Sequence, residues 1–259
     1  MSIVRAAVVA FAALSLAGCG ALEPSATDLV RGASAKMQTA KSLHIEGTGT
    51  FGIKGGMSMS FDFKLVGDVE LPDRSRMIVQ MAVVGQSLSI ETLTLDGKAY
   101  AKDPTTGKWS ETSSSTSSST MPPFLMTDPA STLDLSKVAG VVEVDRPVVE
   151  GQKTRHLRYT ADPGALADTM RKSAGAASSL MSDPKAVGEV WIRVDDGQVV
   201  RQSLTVTIEI DLSGPVFSLP GASASPAATK GSFEMAYDFT FSKHGQPIPA
   251  ITKPPLTTR

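Results

Sequence analysis

Apolar and polar side chains alternate along much of this chain, most clearly between residues 57 and 71. One parity of that stretch is apolar, with Met57, Met59, Phe61, Phe63, Leu65, Val69 and Leu71. The other parity is polar, with Ser58, Ser60, Asp62, Lys64, Asp68 and Glu70. Successive side chains of a strand point to opposite faces, so this period of two predicts an antiparallel strand with one buried face.

The same pattern predicts further strands, separated by turn signals such as Asp96-Gly97 and Asp195-Asp196-Gly197. They fall in residues 43–53, 77–83, 88–101, 138–161, 187–212 and 233–241. In one of them the apolar parity changes at Glu91-Thr92, between Ile90 and Leu93. An extra residue inserted in a strand would produce such a change, so the sequence predicts a β-bulge there.

Helical spacing occurs in three places. Residues 27–40 can follow a cap at Ser25 or Thr27, and an apolar stripe recurs there at Leu29, Ala33 and Met37. Asp128-Pro129 predicts the start of a short helix that ends near Lys137. Asp162-Pro163 predicts a longer helix to about residue 180, with Leu166 and Met170 on one side. Residues 110–120 are nearly all Ser and Thr, which predicts a loop.

Together these elements predict an α+β fold. Each strand has one apolar and one polar face, so a single sheet that is solvated outside and covered inside by helices satisfies the whole pattern. We therefore expect one large curved antiparallel sheet, a half-barrel, wrapped over a few α-helices.

The beginning of the chain has a different pattern. Arg5 precedes an uncharged apolar run over residues 6–16, and small residues then lead to Cys19. This arrangement is typical of a secretory signal peptide, and Leu16-Ala17-Gly18-Cys19 resembles the lipobox of bacterial lipoproteins. The resemblance implies cleavage after Gly18 and attachment of acyl chains such as palmitate to Cys19. The alternatives are an ordinary signal peptide with a chance cysteine, or an uncleaved anchor.

Composition narrows the classes of function. The net charge of −1 over 259 residues disfavours a general nucleic-acid binder. Cys19 is the single cysteine, so the chain can form no internal disulfide and no cysteine-based metal site. No second long apolar run follows residue 16, so we expect the mature chain to touch the membrane only through its lipid.

The sequence gives little indication of a catalytic site. His44, His156 and His244 are isolated from one another in the sequence, and His44 and His244 fall on polar strand parities. The chain contains no G-x-S-x-G elbow and no phosphate-binding or dinucleotide fingerprint. We therefore predict that the protein is not an enzyme and that it uses no cofactor and no metal ion.

The order of elements resembles the LppX/LprG-type lipoproteins within the wider LolA/LolB-like superfamily. The matching features are Cys19, the helix leading through Lys41-Ser42-Leu43 into a glycine-bearing strand, and Leu95-Asp96-Gly97-Lys98-Ala99-Tyr100 followed by Trp109. The late hairpin around Val190-Trp191-Ile192 and the proline-rich end also fit. The resemblance implies an apolar cavity between the sheet and the helices that holds the acyl chains of a lipid.

Candidate residues for that cavity are the apolar side chains of the inward strand parities and of the second long helix. They are Met57, Met59, Phe61, Phe63, Leu65, Met77, Val79, Met81, Leu166, Met170, Leu204, Val206, Ile208, Met235, Tyr237 and Phe239. The methionines among them can line an adaptable site for acyl chains, because thioether side chains are flexible and polarisable. Ordinary filling of a hydrophobic core explains the same residues.

These observations predict three segments: a cleaved signal peptide over 1–18, a lipidated cysteine and tether over 19–25, and one LolA-like domain over 26–259. The predicted function is a lipoprotein on the extracytoplasmic face of the cell membrane that carries lipids or lipidated molecules through the envelope. Its expected partners are lipid or glycolipid acyl chains, the membrane through Cys19, and a membrane transporter, but no nucleic acid. The alternative is a sensor or protein-binding module with the same fold and no open cavity.

Overall fold

The described residues form one open antiparallel sheet with a helix against one of its faces. In the computed structural model these residues are 23–55, 58–83, 86–112, 135–165, 167–168, 181–211 and 230–256. The predicted signal peptide, Cys19, most of the Ser/Thr-rich segment and most of the predicted helix after residue 162 lie outside them.

The sheet has twelve strands, and eleven of them follow the order β6-β5-β4-β3-β2-β1-β12-β11-β10-β9-β7, with β8 pairing β9. The strands are β1 (Ser42–Lys54), β2 (Met59–Glu70), β3 (Arg74–Val83), β4 (Gln86–Leu95), β5 (Lys98–Lys102), β6 (Trp109–Thr112), β7 (Val138–Asp145), β8 (Val148–Val149), β9 (Gln152–Ala161), β10 (Met181–Arg193), β11 (Val199–Asp211) and β12 (Lys230–Ser242). Because β6 and β7 lie at opposite ends of this order, the sheet does not close, and the predicted half-barrel is confirmed.

The two faces of the sheet differ as the alternation predicts. The register places Met81, Phe63, Gly49, Tyr237, Leu204, Gly188 and Tyr159 in one row across seven strands on the apolar face, from β3 to β9. Their polar neighbours, such as Lys64 and Asp238, lie on the opposite face. We call these the inner face and the outer face.

Helix α1 (Ala26–Thr39) covers one end of the inner face. The Ser25 hydroxyl accepts a hydrogen bond from the Asp28 amide at 3.2 Å, which confirms Ser25 as its cap. Its buried side is Val30, Ala33, Ser34 and Met37, so Leu29 lies only at the edge of the predicted stripe. Helix α1 contacts β7, β10 and β11, and the Ser34 hydroxyl accepts from the Leu135 amide of a short 3₁₀ helix (Leu135–Lys137) at 3.0 Å.

The start of the predicted helix after Asp162 is also seen. The Asp162 carboxylate accepts a hydrogen bond from the Ala165 amide at 2.8 Å, and residues 163–165 and 167–168 are helical. This carboxylate therefore caps the helix as the Asp-Pro pair predicts. Within the part of the chain that the structure describes, no helix is long and apolar enough to cross a membrane.

The predicted bulge at Glu91-Thr92 is wrong. Strand β4 pairs with β3 without a register shift, and the register places Leu93 opposite Arg76 on the outer face. Leu93 is nevertheless buried, because Ile248 and Ile251 of the C-terminal tail pack over it and over Tyr100. The apolar parity therefore changes because the outer face is covered at Leu93, and not because a residue is inserted in the strand.

The C-terminal tail crosses the outer face as an extended strap. It leaves β12 through a turn in which the Gly245 amide donates to the Ser42 carbonyl at 2.8 Å. It ends at β6, where Leu256 forms a parallel bridge with Trp109. The strap therefore joins the middle of the sheet to its β6 edge.

Replacing Ile251 with alanine should test this contact. Ile251 is 5% exposed, and shortening it should lower the free energy of unfolding by about 2–4 kcal/mol through lost burial and a cavity beside Leu93 and Tyr100. Denaturant titration measures the change. Lys253→Ala in the same strap removes an exposed side chain and should cost less than about 0.5 kcal/mol. Equal effects of the two substitutions would contradict the packing of the strap.

Candidate functional site

Thirteen of the sixteen residues predicted for the cavity have described side chains, and the register assigns all of them to the inner face. Eight are buried: Phe63, Leu65, Met77, Val79, Met81, Val206, Ile208 and Tyr237. Phe61, Leu204, Met235 and Phe239 are half-buried, and Met59 is 38% exposed. The other three predicted residues, Met57, Leu166 and Met170, lie outside the described residues, as does Cys19.

The exposed fraction of these side chains changes along the strands. Near α1 the inner face is fully buried, as at Leu43, Leu157 and Ile192. Toward the far end of the same strands Ala186, Val206, Ile208 and Ile210 form a second buried cluster, and other apolar side chains there are only partly covered. We call this set the open apolar patch; its residues are Phe51, Ile53, Met59, Phe61, Leu204, Phe233 and Met235. Within it the rings of Phe51 and Phe61 stack with centroids 5.1 Å apart.

Glycines on the inner face let aromatic rings lie flat against the sheet. A Cβ at Gly49 would lie 2.4 Å from the Phe63 ring, and a Cβ at Gly47 would lie 2.4 Å from the Phe239 ring. Both distances are far below van der Waals contact, so any other residue at these two positions would lift the rings away from the strand. The position of these rings close to the sheet therefore depends on these glycines.

A small polar group lies within this apolar face and was not predicted. The Gln202 side-chain amide donates a hydrogen bond to the Tyr159 hydroxyl at 2.8 Å, and both residues are 2% exposed. Tyr237 is 6% exposed, and its hydroxyl has no hydrogen-bond partner in the described residues. The sequence does carry a signal for Gln202, because it interrupts the apolar parity that continues through Leu204, Val206 and Ile208.

Burial dominates the protonation of both tyrosines. It raises the pKa of Tyr159 to about 12, against a smaller lowering by the hydrogen bond from Gln202. Burial also raises the pKa of Tyr237 well above its ordinary value, and the nearby Tyr159 adds to this rise. Both hydroxyls therefore stay protonated at physiological pH and act as neutral hydrogen-bond donors.

The outer face carries a shallow groove of about 690 Å³. Its walls are polar-face residues of short side chain, such as Thr48, Thr50, Ser203 and Thr205. Phe63, Met81 and Tyr237 also line it, although the register assigns these three side chains to the inner face. The groove therefore lies on the opposite face from the predicted cavity. The strand residues predicted to line that cavity are mostly among the described residues, whereas most of the helix after residue 162 lies outside them.

The three histidines lie apart from this inner face. His156 stacks on Trp191 with ring centroids 4.2 Å apart, and its Nδ1 lies 2.9 Å from Asp145. The His244 Nε2 donates to the Val199 carbonyl at 2.9 Å, and burial lowers the pKa of His244. Across the described residues, no group of three or more His, Cys, Asp or Glu side chains could hold a metal ion.

His44 links two strands on the outer face. Its Nδ1 lies 2.7 Å from Asp68 on β2, and its Nε2 lies 2.8 Å from Glu46. Burial opposes the charged imidazolium, but the hydrogen bonds to the two carboxylates outweigh it, so the pKa of His44 is raised. His44 is thus a structural residue of the β1–β2 pair.

The raised pKa of His44 gives a pH dependence of stability. The charged form is favoured in the folded chain, so its stabilisation is complete below the unfolded pKa of about 6.5 and is lost as pH rises through the higher folded pKa. We expect the free energy of unfolding to fall in that window, and to fall less in His44→Gln. Denaturant titrations of both proteins at several pH values measure this. The same slope in both would contradict the assignment.

Comparisons with known proteins identify similar folds. No family model and no curated protein matches the chain. Among solved structures, LprF from Mycobacterium bovis is 15% identical with a TM-score of 0.48, covering 90% of this chain and 98% of its own. Lipoprotein LppX from Mycobacterium tuberculosis is 18% identical with a TM-score of 0.44, covering 88% and 98%. A LolA superfamily protein from Nitrosomonas europaea is 7% identical with a TM-score of 0.29, covering 89% and 98%.

Proposed function

We propose that this protein is a membrane-anchored lipoprotein that binds the acyl chains of lipids or lipidated molecules and carries them through the cell envelope. The observation that carries the proposal is the open apolar patch. It lies on the inner face of the sheet, yet its side chains are only partly covered. A monomer gains free energy by covering such a surface, so contiguous apolar groups left open point to a ligand.

Acyl chains suit the chemistry of the patch. It consists of three phenylalanines, two methionines, Ile53 and Leu204, and it contains no charged side chain. Methionine adapts its shape to irregular apolar ligands, and phenylalanine rings provide wide apolar contacts. Ten buried methylenes would contribute about 8 kcal/mol, which corresponds to a dissociation constant of about 1 μM before ordering costs. No bond is made or broken in this activity.

Acylation of Cys19 would place the protein at a membrane, and contacts just after the predicted tether support a short connection. Glu23 accepts hydrogen bonds from Arg146, one of them at 3.0 Å. The Pro24 carbonyl accepts from Arg155 at 3.0 Å, and the Glu143 carboxylate holds both arginines. We call these contacts the N-terminal clasp. It fixes where the chain enters the domain, beside α1 and the β7–β9 edge.

A charged residue in the open apolar patch should abolish lipid uptake. Met59→Lys places an ammonium group among apolar side chains, so an acyl chain could cover it only by removing the charge from water. Met59 is 38% exposed, which lets the substituted strand remain folded. We expect at least a tenfold loss of uptake of a fluorescent fatty-acyl probe.

The matched control is Val66→Lys on the same strand. Val66 is 43% exposed but faces outward, so this substitution adds the same charge at similar exposure on the other face. It should leave uptake unchanged, and circular dichroism should show both variants folded. Equal uptake by the two variants would contradict the proposed site. Wild-type protein that shows no lipid by native mass spectrometry and takes up none would favour the protein-binding alternative.

A further inference from the structure

Two buried tyrosines lie in one row of the inner face, beside the open apolar patch. Tyr237 on β12 and Tyr159 on β9 belong to the same row across the inner face, with Leu204 and Gly188 between them. This row adjoins the row that contains Phe51, Phe61 and Met235, which belongs to the patch. The tyrosines therefore stand where the open part of the inner face gives way to the core beneath α1.

Gly188 allows the Tyr159 ring to lie across β10 toward β11. A Cβ at this position would lie 2.3 Å from the Tyr159 ring and 2.4 Å from its hydroxyl, so the ring lies directly over the glycine. Tyr159 thereby reaches across β10 to Gln202 on β11, the strand next to Tyr237.

Both hydroxyls have a hydrogen to donate. Tyr159 uses its oxygen to accept from Gln202, and no contact in the described residues takes its own hydrogen. The Tyr237 hydroxyl has no partner at all in that part of the chain. Burying an unpaired hydroxyl is unfavourable. Phenylalanine, which occurs nine times in this chain, would fill the same space without that cost. The hydroxyls therefore point to a ligand that supplies hydrogen-bond acceptors.

We propose that Tyr159 and Tyr237 donate hydrogen bonds to the carbonyl oxygens of a neutral ester in a bound long-chain lipid. Gln202 is a positioning residue that fixes the Tyr159 hydroxyl. The inference rests on the proposed function, because it assigns a headgroup site within the same surface. It assigns the ligand class as acyl esters, not as free fatty acids or phospholipid phosphates.

The charges around the site explain why we assign a neutral ester carbonyl as the hydrogen-bond acceptor. An ionised carboxylate or a phosphate buried here would need a cation beside it. Among the described residues, Arg155 is the buried cation of this face, and it is already bound to Glu143 and to the Pro24 carbonyl in the N-terminal clasp. An ester carbonyl accepts hydrogen bonds without carrying a charge, so two neutral donors satisfy it.

Comparing the binding of two lipids that differ only in their ester carbonyls distinguishes this site from general apolar binding. The probes are 1,2-dioleoylglycerol, which has two ester carbonyls, and the matching dialkyl ether glycerol, which has none. Wild-type protein should bind the ester about 2–10-fold more tightly, as one or two hydrogen bonds allow. Tyr237→Phe and Tyr159→Phe should each reduce that preference, and the double variant should abolish it. Binding of the ether should not change in any variant.

Tyr100→Phe is the matched control. Tyr100 is the remaining one of the three tyrosines in the chain. It is 2% exposed, but it lies under the C-terminal strap on the outer face. Its substitution should leave the ester preference intact. As a second readout, the infrared band of ¹³C-labelled ester carbonyls should shift to lower frequency on binding to the wild type. The double variant should show no such shift.

The outcomes separate the two levels of the proposal. Equal binding of ester and ether by wild-type protein would overturn the ester site and leave the proposed function intact. Loss of preference in Tyr100→Phe as large as in Tyr237→Phe would also overturn it, because the effect would then not be local. Failure of the wild-type protein to bind either lipid would overturn the proposed function itself.

Discussion

The pairing of β1 with β12 is the contact on which the rest of the structure depends. These strands lie near opposite ends of the chain, yet they pair from His44 to Lys54 in the middle of the sheet. Every strand from β2 to β6 lies on one side of this ladder, and β11 to β7 lie on the other. Without it the inner face would divide into two surfaces, and neither would carry the full row that runs from Met81 to Tyr159.

Two glycines let aromatic rings lie close to the sheet at that ladder. Gly47 and Gly49 lie on the inner face of β1, and the rings of Phe239 and Phe63 fold down over them. Gly188 receives the Tyr159 ring in the same way. These aromatic rings therefore lie close to the backbone of the sheet. The positions of the Phe63, Phe239 and Tyr159 rings all depend on these glycines.

The sequence predicts this fold well because period-two alternation has one physical cause, burial of one face. It predicts less well where another segment decides what is buried. Leu93 is covered by the distant strap, and local alternation carries no information about that contact. Gln202 shows the opposite case, since a polar residue on the apolar parity was visible but its partner Tyr159 lies two strands away. The alternation along one strand does not predict which side chains meet across neighbouring strands.

The N-terminal clasp has a mechanical consequence. For a chain acylated at Cys19, only four Cα steps separate the lipid-bearing residue from Glu23, a leash of roughly 14 Å at most. The clasp sits near the Arg155 row, whereas Phe51 lies six residues farther along the strands, about 20 Å away. A lipid carrier held in this way would keep the clasped end of its sheet near the bilayer, with the open apolar patch toward the other end of the same strands. Contact of that patch with the bilayer would then require the strands to lie along the membrane surface.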